Sequence, residues 1–168
     1  MTIHCSSTNK TEVIDFLGTA PASAKYQLYA INDMNGDYTI RVEGQHNQVG
    51  YRSIAIPGTL RGFEAAHKKY GSLPMHELIA PAISIAKEGF PISYKGALRM
   101  ARTAHVLATT DACRTLYLKS DNSAPREGEI IQNKDYAYTL EEIAKYGANT
   151  FYSGDLGGLI VSEIDKNY

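Results

Sequence analysis

Long apolar runs, basic blocks and a signal-peptide pattern are all missing from this sequence of 168 residues. The formal net charge is -1 and the Lys and Arg residues are spread along the chain, so nothing indicates a nucleic-acid partner. No apolar run approaches the roughly 20 residues that cross a bilayer, and the first ten residues lack a basic region followed by an apolar one. We therefore expect a soluble stretch of chain with no membrane span and no signal peptide, and the compartment stays open.

Metal-binding and cofactor-binding motifs are also missing. Cys5 and Cys113 belong to no Cys-x-x-Cys pair, which argues against a zinc site. The two cysteines form one disulfide in an oxidising compartment or remain buried free thiols, and the free-thiol interpretation is favoured. The five histidines lack ligand spacing, since even the neighbours His76 and Glu77 would point in different directions on a helix. We predict no metal and no cofactor.

One junction in the chain has the composition of a sharp turn. The stretch 54–63, IAIPGTLRGF, passes from an apolar strand-like pattern through Pro57, Gly58 and Thr59 into a helical pattern. A helix N-terminus can bind an anion, but the stretch lacks the GxxxxGK and GxGxxG patterns of phosphate-binding loops. Pro fixes φ, Gly permits unusual backbone angles and Thr can cap a helix. The three residues are therefore predicted to form a structural turn, with Thr59 as the N-cap.

Strand-like segments precede helical ones along the chain. The strand-like segments are short, rich in Val, Ile, Tyr and Phe, and read TEVIDF, YQLYAI, YTIRV and GYRSIAI. Asn35-Gly36 predicts a hairpin turn between two of them, because both residues tolerate positive φ. From Thr59 onward the apolar residues recur with a helical period. This order predicts an α+β fold, with a strand-rich part at 1–56 and a mainly helical region at 57–168.

Capping residues and glycines divide the helical region into five predicted helices. Their ranges are 59–70, 75–88, 93–118, 133–146 and from about 154 onward. Pro81 is expected to kink the second helix or to begin a new one. Because the sequence ends within the last helical pattern, we expect it to be part of a longer chain.

Two long segments carry a resemblance to a known family. Residues 49–93, VGYRSIAIPGTLRGFEAAHKKYGSLPMHELIAPAISIAKEGFPIS, closely resemble the signature of the gamma-glutamyltranspeptidase family. In that signature a strand ends in V-P-G-T, a helix ends in K/R-Y-G, and L-x-P-A-I-x-x-A-x-x-G-F follows. Residues 125–154, PREGEIIQNKDYAYTLEEIAKYGANTFYSG, are similar to the family's next conserved stretch, and the first 24 residues look like its strand pair before an Ala-Pro turn. The resemblance covers nearly the whole chain.

The resemblance implies a fold and a chemistry. Members have the αββα fold of N-terminal-nucleophile hydrolases: a precursor cuts itself, and the new N-terminal Thr of the small subunit attacks a gamma-glutamyl amide to form an acyl-enzyme. Water or an amine then takes the acyl group. This chain matches the middle of the large subunit, so no catalytic residue is assigned in it. The implied partners are the remainder of the large subunit, a small subunit carrying the nucleophile, and a small-molecule amide substrate.

One departure from the family pattern bears on the substrate. The family usually has D-x-R-E before the Ala-Pro turn, and its Arg grips the substrate's α-carboxylate through a bidentate charge-assisted pair. Here Leu17 stands at the Arg position and Gly18 at the Glu position. Leu cannot hold a carboxylate, so we hypothesise a relative with altered donor specificity. Arg41 or Arg52 could supply a replacement cation, although an ordinary surface Arg is the commoner case.

Two functions follow as hypotheses from these residues. The first is the large-subunit part of a gamma-glutamyltranspeptidase-like amidohydrolase or acyltransferase. The second is a non-catalytic scaffold or binding module derived from that family, which would explain the loss of the Arg. A downstream Thr at the start of a small-subunit-like segment would favour the first hypothesis.

Overall fold

The computed structural model describes residues 1–34 and 40–167, and it confirms the predicted α+β fold class. The chain divides into two compact units, one formed by Met1–Ser72 with Phe151–Tyr168 and the other by Leu73–Thr150. The predicted division into a strand-rich part at 1–56 and a helical region at 57–168 stays a prediction.

The described strands are short and form three antiparallel pairs. The pairs are β1 (Thr2–Cys5) with β2 (Lys10–Val13), β3 (Ile31–Met34) with β4 (Ile40–Val42), and β5 (Phe90–Pro91) with β6 (Ile130–Ile131). The first pair confirms the strand pair expected near the start of the sequence. The predicted turn at Asn35-Gly36 lies outside the described residues.

Two predicted strands are wrong. The segment YQLYA forms turns and bends, and strand structure begins only at Ile31. In the segment GYRSIAI, Tyr51–Ser53 form a 3-10 helix, and only Ile56 makes a strand-like bridge, to Thr19. Gly50 starts that helix at φ 88°, and its carbonyl accepts hydrogen bonds from both the amide and the hydroxyl of Ser53. This local turn overrides the strand propensity of the Tyr and Ile residues.

Seven α-helices occupy the described part of the chain after residue 58. They are α1 (Thr59–Tyr70), α2 (Met75–Glu88), α3 (Tyr94–Leu107), α4 (Asp111–Tyr117), α5 (Lys134–Tyr146), α6 (Asn149–Tyr152) and α7 (Asp155–Asn167). The predicted bounds of α1, α2 and α5 are confirmed. Pro81 lies inside α2 and does not begin a new helix.

The third predicted helix is two helices in the structure. Helix α3 begins next to Ser93, near the start that the sequence predicted, and the Ser93 hydroxyl caps it by accepting the amide of Gly96. However, the helical pattern is interrupted after Leu107, and Thr110 caps α4 by accepting the amide of Cys113. A Thr side chain that satisfies an orphan amide favours a new helix start over continuation.

The unit Leu73–Thr150 has a buried core between α2 and α5. Its buried apolar side chains are Ala86, Ile92, Ile131, Ala137, Ile143 and Ala148. Polar contacts join the same elements: Lys87 pairs with Glu141, and the Gln132 amide donates to the Lys87 carbonyl. The helical stripe of apolar residues therefore faces a partner within the unit, as helix amphipathicity predicts.

The other unit is joined more by backbone and polar contacts than by a core. Lys69 and Tyr70, at the end of α1, both donate to the carboxylate of Glu12 on β2. The Tyr51 hydroxyl donates to Glu163 on α7 at 2.9 Å. In the part of the chain that the structure describes, no helix has the length and apolarity needed to cross a membrane.

Candidate functional site

Leu17 lies in an exposed segment that follows β2. Its side chain is 83% exposed, and its amide donates to Oδ1 of Asp15 at 3.2 Å. This hydrogen bond holds the backbone in a local Asx turn. The preceding Phe16 is half-buried and turns the opposite way, toward α1. The structure therefore presents an apolar side chain to solvent at the position where the resemblance implies a carboxylate-binding Arg.

The segment 15–19 is held against residues 56–62 by close backbone approach. Thr19 and Ile56 exchange two backbone hydrogen bonds, at 3.2 and 2.8 Å. A Cβ at Gly58 would lie 2.5 Å from the Phe16 carbonyl oxygen, and a Cβ at Gly62 would lie 2.2 Å from the Phe16 ring. A side chain at either position would therefore displace Phe16. Phe63 adds an edge-to-face ring contact with Phe16, the ring centroids 5.9 Å apart.

The prediction that Thr59 caps α1 is wrong. Thr59 is the first residue of the helix, and the N-cap position belongs to Gly58, where no side chain accepts a cap hydrogen bond. The physical reason is the contact with Phe16, which leaves room only for glycine at the cap position. Pro57, Gly58 and Thr59 do connect the bridge at Ile56 to α1. Their role as a structural turn in the complete fold stays a prediction.

Tyr152 contacts the start of α1, an interaction that the sequence did not predict. Its hydroxyl donates to the Pro57 carbonyl at 2.8 Å and accepts the Arg61 amide at 3.1 Å. The Arg61 guanidinium lies over the Tyr152 ring, 4.7 Å from its centroid, and pairs with Glu64 at 2.9 Å. The sequence signal for Tyr152 was the family-like F-Y-x-G motif at 151–154. That motif does not indicate a contact with Pro57, 95 residues away in the chain.

The two candidate replacement cations belong to the same unit as Leu17. Arg41 is on β4, and Arg52 is in the 3-10 helix Tyr51–Ser53. Arg52 lines a cavity of about 480 Å³, together with the Ala20-Pro21 turn, and Leu17 is not among the described residues that line it. The assignment of either Arg as a substrate cation stays a prediction.

In residues 1–34 and 40–167, the cysteines and acidic groups do not form a reaction centre. Cys5 and Cys113 are both free thiols and are half-buried rather than buried. Hydrogen bonds from Ser7 and Thr8 lower the pKa of Cys5 to about 7. Hydrogen bonds from Lys69 and Tyr70 lower the pKa of Glu12. Among the described residues, no group of three or more His, Cys, Asp or Glu side chains is placed to hold a metal ion.

Comparisons with known proteins identify the family of this chain. The gamma-glutamyltranspeptidase family profile matches residues 1–167. Scoloptoxin SSD14 from Scolopendra dehaani is 35% identical over 100% of this chain and 29% of its own length, and glutathione hydrolase proenzyme 1 from Schizosaccharomyces pombe is 32% identical over 91% and 22%. The crystal structure of Helicobacter pylori gamma-glutamyltranspeptidase superimposes with a TM-score of 0.88 at 28% identity, over 99% of this chain and 46% of that one.

The chain thus spans less than a third of these two curated relatives and about half of the solved chain. The structural match also confirms the N-terminal-nucleophile hydrolase fold class that the resemblance implied. On the agreement of the family profile, the relatives and the fold, the chain belongs to the gamma-glutamyltranspeptidase family.

Proposed function

We propose that this chain is the large-subunit portion of a gamma-glutamyltranspeptidase-like enzyme. The enzyme cleaves a gamma-glutamyl or related amide and passes the acyl group to water or an amine. Residues 1–56 contribute strands to the sandwich layer and 57–168 form the helical region. The observation that carries the proposal is the family match along residues 1–167, together with the close superposition on a gamma-glutamyltranspeptidase.

The nucleophile comes from outside this chain. A small subunit, released by self-cleavage of a precursor, supplies an N-terminal Thr whose hydroxyl attacks the amide carbonyl. The amine leaves, an acyl-enzyme remains, and water or an acceptor amine releases the acyl group. Several relatives are named as proenzymes, which supports a processed precursor. This chain's own contribution is the wall of the donor site that contains Leu17.

Leu17, at the position of the family's Arg, changes which acyl donor the enzyme prefers. An Arg guanidinium offers five N–H donors in a fork that matches a carboxylate, whereas Leu offers none. The neighbouring Asp15 carboxylate accepts the Leu17 amide and would repel a second carboxylate. The enzyme therefore prefers a donor whose acyl group has no α-carboxylate, or presents an apolar group there.

The turn at Pro57, Gly58 and Thr59 is structural and binds no substrate anion. The backbone amide of Arg61 already donates to the Tyr152 hydroxyl, and the carbonyls of Phe16 and Leu17 lie close to Gly58. These contacts support a corner that joins the segment 15–19 to α1.

The donor preference is tested on the processed full-length protein with three p-nitroanilides. The gamma-glutamyl compound carries the α-carboxylate and amine, the 4-aminobutanoyl compound lacks only the carboxylate, and the butanoyl compound lacks both. We expect higher kcat/KM for the 4-aminobutanoyl or butanoyl compound. Ordinary efficiency on the gamma-glutamyl compound would refute the altered specificity, and Arg41→Met and Arg52→Met variants would then identify a replacement cation.

The second candidate function is a non-catalytic scaffold, which the loss of the Arg at Leu17 favours. It predicts no turnover of any of the three anilides and no cleaved precursor. Turnover of any one of them, abolished by replacing the small-subunit Thr, would exclude the scaffold.

A further inference from the structure

Helix α1 begins without a cap of its own. The first amides of a helix have no intrahelical partner, and an N-cap side chain usually accepts the amide of the second or third helical residue. In α1 the N-cap residue is Gly58, which has no side chain that could accept such a hydrogen bond. The amide of Arg61, the third residue of α1, therefore needs an acceptor from outside the helix.

The missing cap follows from the contact with Phe16. A Cβ at Gly58 would lie 2.5 Å from the Phe16 carbonyl oxygen and 3.2 Å from that of Leu17. Ser, Thr, Asp and Asn, the usual capping residues, all carry a Cβ and cannot occupy the position without moving those carbonyls. The close approach of the segment 15–19 to α1 thus excludes an ordinary cap.

Tyr152 supplies the hydrogen-bond acceptor that a Gly at the N-cap position lacks. Its hydroxyl accepts the Arg61 amide at 3.1 Å and donates to the Pro57 carbonyl at 2.8 Å, so it joins the residues on both sides of Gly58. The ring is fixed by the Arg61 guanidinium, 4.7 Å from its centroid, and by an edge contact with Phe151 at 5.2 Å. At Gly157 a Cβ would lie 2.9 Å from the Phe151 carbonyl oxygen, so the start of α7 packs closely behind these two residues.

We propose that Tyr152 is a positioning residue whose hydroxyl caps α1 and thereby sets the place of Leu17. The first turn of α1 contacts Phe16 through Gly58 and Gly62, so a displaced turn displaces the segment that carries Leu17. The effect on catalysis rests on the proposed function, in which Leu17 lines the donor site. The capping role itself is independent of any activity.

The test compares Tyr152→Phe with Tyr94→Phe in the processed full-length protein. Tyr94 is 62% exposed on α3 and serves as the matched control. Hydrogen–deuterium exchange should be about 3- to 30-fold faster at 59–63 and 15–19 in Tyr152→Phe, which is the range expected for loss of a cap. The KM of the best anilide donor should rise about three- to tenfold with kcat within about twofold, because the change removes binding and not chemistry. Tyr94→Phe should change neither measurement.

Each other outcome counts against a definite part of the proposal. Unchanged exchange at 59–63 in Tyr152→Phe would refute the cap. Faster exchange with an unchanged KM, or a lower kcat at constant KM, would refute the positioning role, since loss of folded enzyme lowers kcat alone. If wild-type protein turns over no donor, the proposed function fails, while the exchange result still decides the cap.

A second pair of variants covers the case in which Tyr152→Phe does not fold. Arg61→Gln keeps the backbone amide of residue 61 and the Tyr152 hydroxyl but removes the guanidinium from the ring. Glu64→Gln leaves the guanidinium over the ring and removes the carboxylate that pairs with it and with Lys68. We expect about two- to threefold faster exchange at 59–63 in Arg61→Gln than in Glu64→Gln. Equal exchange in the two variants would overturn the proposal.

Discussion

The two units of the chain bury their apolar side chains to very different extents. In Leu73–Thr150, six buried apolar side chains form a core. In the unit of Met1–Ser72 and Phe151–Tyr168, Leu156 is the one buried large apolar side chain among the described residues. Other large apolar side chains there are half-buried, as Phe16 is, or exposed. These exposed side chains include Val13, Leu17, Ile31, Ile54 and Ile56.

The two units therefore obtain their stability from different interactions. Leu73–Thr150 depends on its own packing, so its mutations should act through lost burial. The other unit depends on close backbone approach at glycines and on surface hydrogen bonds, and it exposes much of its apolar surface. We expect the 168-residue chain alone to associate with itself or to be poorly stable.

The largest effect should come from the core of Leu73–Thr150. Ile143 on α5 is 6% exposed, so Ile143→Ala should destabilise the protein by about 2–5 kcal/mol through lost burial and a cavity. Ile56→Ala, at a side chain that is 50% exposed, should cost less than half as much. Urea unfolding of the full-length variants measures both. Equal costs would contradict the comparison between the units.

The next effect concerns Leu17, whose replacement should change activity and not stability. Leu17→Arg places a guanidinium where the resemblance implies one, and a charged hydrogen bond of about 1.5–3 kcal/mol should raise kcat/KM for the gamma-glutamyl anilide by about 10- to 100-fold. Because the side chain is exposed, the free energy of unfolding should change by less than about 0.5 kcal/mol. Leu17→Lys is the matched control, since its point charge lacks the bidentate fork. An equal gain in both variants would show that charge alone suffices.

A third pair of variants distinguishes two effects of replacing a helical glycine by alanine: the steric clash with a neighbouring residue and the gain in helix propensity. Gly62→Ala puts a Cβ 2.2 Å from the Phe16 ring and should destabilise its unit by about 1–3 kcal/mol. Gly158→Ala on α7 meets no atom within 4 Å and should stabilise the helix by about 0.5–1 kcal/mol. Thermal unfolding of the two variants measures the difference. A Gly62→Ala variant as stable as wild type would show that Phe16 is free to move away.

The smallest effect is a pH dependence at Glu12. Hydrogen bonds from Lys69 and Tyr70 lower its pKa in the folded state, so the ionised form stabilises the fold above the unfolded pKa of about 4.3. That contribution is lost as the pH falls through the lower folded-state pKa. The stability gap between wild type and Glu12→Gln should therefore shrink as the pH falls below about 4. Denaturant midpoints across this range measure it, with the exposed Glu127→Gln as the baseline, and a constant gap would contradict the pairing.

The ends of several helices, though not the break between α3 and α4, were predictable because their signals are local. Asn133 accepts the amide of Tyr136, Ser93 accepts that of Gly96, and Gly147 ends α5 at positive φ. The segment 50–56 was wrongly predicted as a strand because Tyr and Ile favour strands. In the structure, the hydrogen bond from the Ser53 hydroxyl to the Gly50 carbonyl stabilises a 3-10 helix there instead.

The candidate site was only partly predictable. Leu17 was identified through the family pattern, since an exposed Leu carries no signal of its own. Thr59 was expected to be the cap because nothing in the local sequence shows that the Phe16 carbonyl crowds Gly58. The Tyr152 contact with Pro57 joins residues 95 apart in the chain, and no local pattern encodes it.

The most direct test of the central claim is the intact mass of the whole gene product, purified without added protease, with N-terminal sequencing of each polypeptide. We expect two polypeptides in equal amounts, the larger containing residues 1–168 and the smaller beginning with Thr. A single uncut polypeptide that turns over no amide donor would contradict it and would leave a scaffold derived from the gamma-glutamyltranspeptidase family.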